Sequence, residues 1–460
     1  MIKTVEKPSM ITRKEFPKDF IWGTATASYQ IDGAAALDVL TPSIWDTFSK
    51  TQGKVKNGDT GDTACDHYHL YPSDFDLMQQ LGFNAYRFSI SWSRVLLDGR
   101  GAVNSAGLAF YDRIVDALLT RGIEPYATLY HWDLPQILED AGGWLNRDTA
   151  NAFAEYTDVV TQTLGDRLKN WTTLNEPWCS AYLGYGIGIH APGKTDFAAS
   201  LQATHHLLVA HGQAMPIIRQ NVADAKAGIV LNPSPVYPAS DSSEDIRAAH
   251  LADGFQNRWY FDPVFGQGYP KDVLELYGAY APKITEGDLE IMAAPLDFIG
   301  VNYYTRTVVQ AAKIQNHASP DALLGYSHVF LPNVERTFFD WEVYPQGLTN
   351  FLVRLQHDYQ PKSILITENG ATYDDTLNPD GTIADLQRTE YFQQHLKASL
   401  EAIQHGAKLN GYFAWSFLDN FEWAEGYEKR FGMTYVDFIT QKRTVKASGH
   451  WFANFLNKER

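Results

Sequence analysis

The sequence predicts an α/β protein built as a single (β/α)8 TIM barrel over residues 1–460, with about 1–15 a flexible N-terminal lead. Three observations predict it. Eight short apolar runs rich in β-branched and aromatic residues recur along the chain, amphipathic stretches separate them, and polar or aromatic side chains collect where the runs end. Alternation of this kind favours parallel strands with helical crossovers, and a count of eight favours closure into a barrel whose site lies at the strands' carboxyl ends. The chain is long for one domain, but such barrels run long, and no linker, like-charge block, low-complexity tract or internal repeat interrupts it.

The expected strands are residues 20–26, 84–90, 125–131, 170–175, 227–232, 297–303, 363–368 and 411–416. The clearest is the seventh, where Ile364, Leu365 and Ile366 stop abruptly at Thr367, Glu368, Asn369 and Gly370, as a buried strand does when it surfaces. The fourth has the same form: Trp171 to Leu174 lead into Asn175 and Glu176, and Pro177 ends the strand. Between strands, residues 109–121 place Phe110, Ile114 and Leu118 on one side and Asp112 and Asp116 on the other, and residues 385–405 repeat the pattern with Leu386, Tyr391, Leu396 and Leu400. At the strand ends stand Arg87, His131 with Trp132, Asn175 with Glu176, Asn302 with Tyr304, Glu368, and Trp415.

A formal net charge of −16 argues against nucleic acid and anionic membranes as partners. Aromatic residues make up 13% of the chain, with 12 Trp, which serves core filling or flat platforms for carbohydrate equally well. Cys65 and Cys179 are too few for a disulfide framework or a metal site and read as small buried residues in a reducing compartment. The first twenty residues carry Lys3, Glu6, Lys7, Arg13, Lys14 and Glu15 without an apolar core, so no signal peptide is expected, and no run is long enough to span a membrane; with the two cysteines, the expected location is cytoplasmic. Asn170-Trp171-Thr172 matches a glycosylation sequon but sits at a strand entrance, where it reads as accidental.

Two glutamates at two strand ends suggest one shared site. Paired carboxylates flanking a bond are the apparatus of glycoside hydrolysis, one protonating the leaving oxygen and the other attacking the sugar carbon.

The chain resembles glycoside hydrolase family 1, the β-glucosidase family, from about residue 16 to residue 455. The blocks that carry the resemblance are Phe20 to Gln30, Tyr130-His-Trp-Asp-Leu-Pro135, Thr173-Leu-Asn-Glu-Pro177, Gly300-Val-Asn-Tyr-Tyr304, Ile366-Thr-Glu-Asn-Gly370 and Trp415 to Trp423, in the family's order. The resemblance implies a retaining exo-β-glycosidase acting on terminal β-D-glucosyl units, with galactosyl and fucosyl units also accepted. Glu176 would be the general acid/base and Glu368 the nucleophile, with the carboxyls about 5–5.5 Å apart and a covalent glycosyl-enzyme between two steps. Arg87 and Tyr304 would keep Glu368 ionised, and the negative nucleophile would help Glu176 keep its proton. Gln30, His131, Trp132, Asn175, Asn302, Glu422 and Trp423 match positions around the sugar, with Asn175 set for the 2-hydroxyl, Trp415 as stacking platform and Trp341 on the leaving-group side. A Glu422 carboxylate would repel a 6-phosphate. The substrates implied are β-glucosides and cello-oligosaccharides, linking the chain to cellulose degradation, with no metal, no organic cofactor, and a monomer or homo-oligomer as the working form. A transglycosylating enzyme with the same machinery, or a sugar-binding barrel without turnover, would share these residues.

Other patterns carry less. Residues 188–195 fit the P-loop expression, but no apolar strand precedes them and Pro192 removes an amide that a phosphate nest would use. His67 with His69, and His205 and His206 with His211, lack metal-ligand spacing and read as structural. The chain departs from the family at Asp32 for Glu, at Leu37-Asp38-Val39-Leu40 for a Glu-Asp-Gly-Arg turn, at Leu70 for Arg, Leu97 for Pro and Gln346 for Glu. These apolar replacements suggest an altered leaving-group entrance or a self-association surface.

Overall fold

The computed structural model describes residues 11–35, 37, 41–315 and 317–457. Eight strands, β1 Ile21–Ala25, β2 Ala85–Ser89, β3 Glu124–Tyr130, β4 Asn170–Asn175, β5 Lys226–Leu231, β6 Phe298–Asn302, β7 Ile364–Asn369 and β8 Leu409–Trp415, close into a barrel in sequence order. Every neighbouring pair is parallel. Each strand lies within two residues of its expected limits. The continuous apolar runs follow from the architecture, because side chains of a parallel barrel are buried on both faces; all six residues of β4 and of β7 are buried.

Long helices cover the outside. The expected segment at 109–121 lies within Ser105–Thr120, which buries Phe110, Ile114 and Leu118 while Asp112 and Asp116 turn outward to pair with Arg167. The segment at 385–405 is Leu386–Gln404. Thr12 to Glu15, expected as part of a flexible lead, form a capped 3-10 turn: Glu15 accepts the Thr12 amide at 2.7 Å, and Arg13 reaches the Leu456 carbonyl on the last helix at 3.1 Å. Residues 1–10 lie outside the described residues.

Two features position the site. The pairing of β4 with β5 slips between Thr172 and Asn175, and β7 slips against both neighbours between Ile366 and Asn369, so the ladder is irregular just where Glu176 and Glu368 emerge. Irregularities of this kind re-aim side chains at barrel rims. Past β7 the chain presses on β8 so closely that a Cβ at Gly370 would lie 1.7 Å from the Trp415 carbonyl oxygen. The β5 to β6 connection has no single covering helix. It runs through Ser243–Asp253 and several shorter turns, and a three-stranded sheet of Val236–Pro238, Thr307–Ala311 and Tyr326–His328 stands beside the mouth.

Leu37 is 41% exposed, Leu70 and Leu97 are half-buried, and Gln346 is exposed; none of them lines the large cavity at the mouth. Asp38, Val39 and Leu40 lie outside the described residues.

The loop after β8 is pinned by buried charges. Asp419 accepts from Lys446 at 2.6 Å, Arg430 at 2.7 Å and the Gly432 amide at 2.9 Å, while Lys446 and Arg388 share Asp375. Removing Asp419 leaves Lys446 to share Asp375 with Arg388 and takes from Arg430 its carboxylate, so the dry site carries excess positive charge. Asp419→Ala should therefore lower equilibrium stability by about 3–5 kcal/mol in urea titration. Asp76→Ala, which breaks an exposed pair with Arg121, should cost less than about 1 kcal/mol.

Candidate active site

A cavity of about 720 Å³ opens at the carboxyl ends of the strands. Glu368, at the end of β7, is 3% exposed. Its Oε1 accepts from Arg87 Nη1 at 2.6 Å and its Oε2 from the Tyr304 hydroxyl at 2.7 Å. Arg87 comes from β2 and spends its other amino group on Asn175 Oδ1 at 2.6 Å. Asn302, at the end of β6, donates to Glu176 Oε1 at 2.5 Å and to Asn175 Oδ1 at 3.1 Å, while its own Oδ1 accepts from Thr367 at 2.7 Å. Because Asn175 Oδ1 faces Arg87, its Nδ2 must be the group that donates to His131 Nε2 at 3.0 Å. That assigns the proton of His131 to Nδ1, a buried atom with no partner among the described residues.

The two carboxyls sit in unlike surroundings. Burial, then the neighbouring Glu368, pushes Glu176 up to about 8. Burial also raises Glu368, but Arg87 and Tyr304 pull against it, whereas the donors to Glu176 are a neutral amide and a thiol. A single proton shared by the pair therefore rests on Glu176. Burial and the charge of Arg87 hold His131 well below the usual imidazole range, so it stays neutral.

Glu176 has φ of +47°, Trp132 of +78° and Trp423 of +51°. Such residues cost free energy and persist where the surroundings hold them. Trp132 is held by donating its indole N–H to the Asn175 carbonyl at 2.9 Å and by packing on Trp423 with ring centroids 4.5 Å apart. His131 stacks on Trp415 and on Trp423. On the outer side Trp341 stacks on Phe339 at 4.5 Å and meets Tyr304 at 5.3 Å.

The sequence-derived residues converge. Glu176, Glu368, His131, Trp132, Asn302, Tyr304, Trp341, Trp415, Glu422 and Trp423 line the cavity, and Gln30, Asn175 and Arg87 stand directly behind that lining. Gln30 Nε2 donates to the Phe421 carbonyl at 2.9 Å and reaches Glu422 at 3.4 Å, leaving its buried Oε1 without a partner among the described residues. Burial, with Glu368 and Glu176 beside it, raises Glu422 well above the usual carboxylate range.

Sequence reasoning missed the outer wall, including Trp178, Tyr182, Phe255 and Tyr326, and it missed Cys179, whose thiol contacts Glu176. The i, i+3 spacing of Glu176 and Cys179 at a helix start was the available signal. The histidines set aside as structural are hydrogen-bonded within the fold: His67 to Asp74, His205 to Asp288 and Tyr269, His206 to the Trp144 carbonyl and His211 to Thr173. Residues 188–195 form a loop in which Ile189 and His190 line the cavity. Among the described residues no helix is long and apolar enough to cross a membrane.

The glycosyl hydrolase family 1 model matches residues 12–460. Beta-glucosidase A of Thermotoga maritima is 48% identical over 96% of this chain and 98% of its own length. A bifunctional beta-D-glucosidase/beta-D-fucosidase of Bifidobacterium breve is 43% identical over 96% and 98%. Among solved structures, the family 1 β-glucosidase of T. maritima in complex with isofagomine lactam superposes with a TM-score of 0.92 at 47% identity, covering 96% of this chain and 98% of that one. Match over nearly the whole length, with the barrel and the carboxyl pair in place, makes this chain a member of glycosyl hydrolase family 1.

Proposed function

We propose that the chain is a retaining exo-β-glycosidase that releases terminal non-reducing β-D-glucosyl units, with Glu368 as nucleophile and Glu176 as general acid/base. The observation that carries the reading is the unequal partnering of two buried carboxyls linked through Asn302: an arginine and a tyrosine hydroxyl on one, an amide and a thiol on the other. In the first step Glu368 attacks the anomeric carbon while Glu176 gives its proton to the leaving oxygen. Esterification removes the charge of Glu368, so the proton affinity of Glu176 falls and it can take a proton from water in the second step.

Gln30 Oε1, His131 Nδ1–H and the Glu422 carboxyl supply polar partners for glycone hydroxyls, and Trp415 is the platform beneath the ring. Asn175 acts by orienting Arg87, Asn302 and His131. Glucosyl is the leading glycone, and the bifunctional relative supports adding fucosyl, with galactosyl tested beside them. The cavity is lined by Glu176, Glu368, Glu422 and Glu425 and, among the described residues, by no lysine or arginine, so a 6-phosphate would meet no counter-charge. β-Glucosides and cello-oligosaccharides handled in the cytoplasm, as part of cellulose breakdown, are the substrate and setting this reading favours. The Phe339 and Trp341 stack would equally seat a sugar acceptor, which favours some transglycosylation at high substrate.

In a p-nitrophenyl panel the β-glucoside should turn over, with the β-fucoside and β-galactoside measurable and the β-glucoside 6-phosphate inert; an active 6-phosphate would overturn the glycone assignment. Glu368→Gly should lose hydrolysis by at least about 10⁴-fold, and azide should restore turnover with an α-glucosyl azide product. Retention of wild-type rate would remove Glu368 from the nucleophile role.

The acid form of Glu176 is the active one in the first step, so kcat/KM should fall as pH rises through about 8. Glu176→Gln should lower kcat/KM for an alkyl glucoside by about 10²–10⁴-fold, yet spare a dinitrophenyl glucoside, whose leaving group needs no proton. Equal losses on both substrates would contradict the acid role.

A further inference from the structure

Glu176 is gripped from two sides. Asn302 holds Oε1, and the thiol of Cys179 donates to Oε2 at 2.9 Å. Cys179 opens the wide helical segment Cys179–Gly186, and its amide donates to the Glu176 carbonyl at 2.9 Å, which sets its side chain over the carboxyl one turn back. On the far side of the sulfur, Asn232 Nδ2 approaches Sγ at 3.6 Å as a donor. A thiol has one proton, and with an N–H directed at its lone pairs that proton is left for the carboxylate.

We infer that Cys179 is a positioning residue: its S–H fixes the rotamer of the Glu176 carboxyl and favours the ionised form, and so sets the pH at which the acid step fails. The inference rests on the assignment of Glu176 as acid/base. The charged and titratable groups facing Glu176 are Glu368 on β7, Arg87 on β2, Tyr304 after β6 and Glu422 after β8, with neutral His131 behind Asn175. Burial and the charge of Glu368 drive the proton affinity of Glu176 upward, yet the same group must release its proton in the first step. A weak donor that prefers the carboxylate opposes that drift. Burial and the surrounding carboxyls hold the Cys179 thiol far above its ordinary range, so it stays protonated and acts as a donor throughout the pH range of the reaction. A purely space-filling residue at this position would leave the carboxyl's titration unchanged.

The experiment compares Cys179→Ala, Cys179→Val and Cys179→Ser by the pH dependence of kcat/KM for an alkyl β-glucoside, with Glu176→Gln measured beside them. Ala and Val should move the basic limb to higher pH by about half a unit to one unit, and Ser, which keeps a donor, should return it to within about 0.2 unit of the wild-type position. Val covers the case in which the smaller Ala leaves a cavity that prevents folding. An unmoved limb in Ala or Val, or an equal shift in Ser, overturns the role of the thiol. If Glu176→Gln keeps the limb and the rate, the acid/base assignment fails and the inference with it. A Glu176→Gln variant that loses the limb, alongside an unmoved Ala and Val, overturns the inference alone.

Discussion

The site depends on one buried cation. Arg87 reaches Glu368 with one amino group and Asn175 with the other, at 2.6 Å each, in a barrel core where an unpaired guanidinium could not persist. That pairing separates the two carboxyls electrostatically. It draws negative charge to Glu368 and leaves the shared proton on Glu176, so a difference in roles arises from the placement of a single positive charge. Asn175 and Asn302 extend the constraint across β4, β6 and β7, and the same hydrogen bonds that hold Arg87 determine the tautomer of His131. Rigidity at the mouth follows from this chain of contacts, reinforced behind it by the charges around Asp419.

The rim shows what such pre-orientation costs locally. Three residues of the cavity wall, Trp132, Glu176 and Trp423, adopt left-handed backbone conformations, and the ladder slips beside both glutamates. Packing among Trp45, Trp132 and Trp423, with centroids 4.5 Å apart in two of the pairs, offsets the local cost. The result is a wall in which flat aromatic faces and buried polar atoms are presented together, the combination a sugar ring requires.

Much of this was legible in the sequence, for reasons tied to particular residues. Ile364, Leu365 and Ile366 are apolar without alternation because both faces of β7 are buried, and Glu368 follows where the strand's end meets the cavity. The β5 to β6 connection was not legible as structure, since its short segments, Ser243–Asp253 to Asp288–Met292, have no long periodic pattern. The raised proton affinity of Glu422 was not legible, because it comes from burial and from Glu368 and Glu176, which are distant in the chain. Asn175 was legible as a site residue, but its amide turned out to serve Arg87, Asn302 and His131, a three-dimensional fact that adjacency to Glu176 could not convey. Cys179 read as a small buried residue, and it is buried; the hydrogen bond to Glu176 needed coordinates.

The central claim is that Glu368 forms the covalent bond to the sugar, and the direct test is to trap it. A 2-deoxy-2-fluoro-β-glucoside with a dinitrophenyl leaving group slows breakdown of the intermediate more than its formation, because fluorine at C2 opposes the developing positive charge and the leaving group compensates only in the first step. Intact-protein mass spectrometry should then show one fluoroglucosyl unit added per chain, and peptide mapping should place it on Glu368. Release of the dinitrophenolate without any adduct, or an adduct on another residue, would contradict the account.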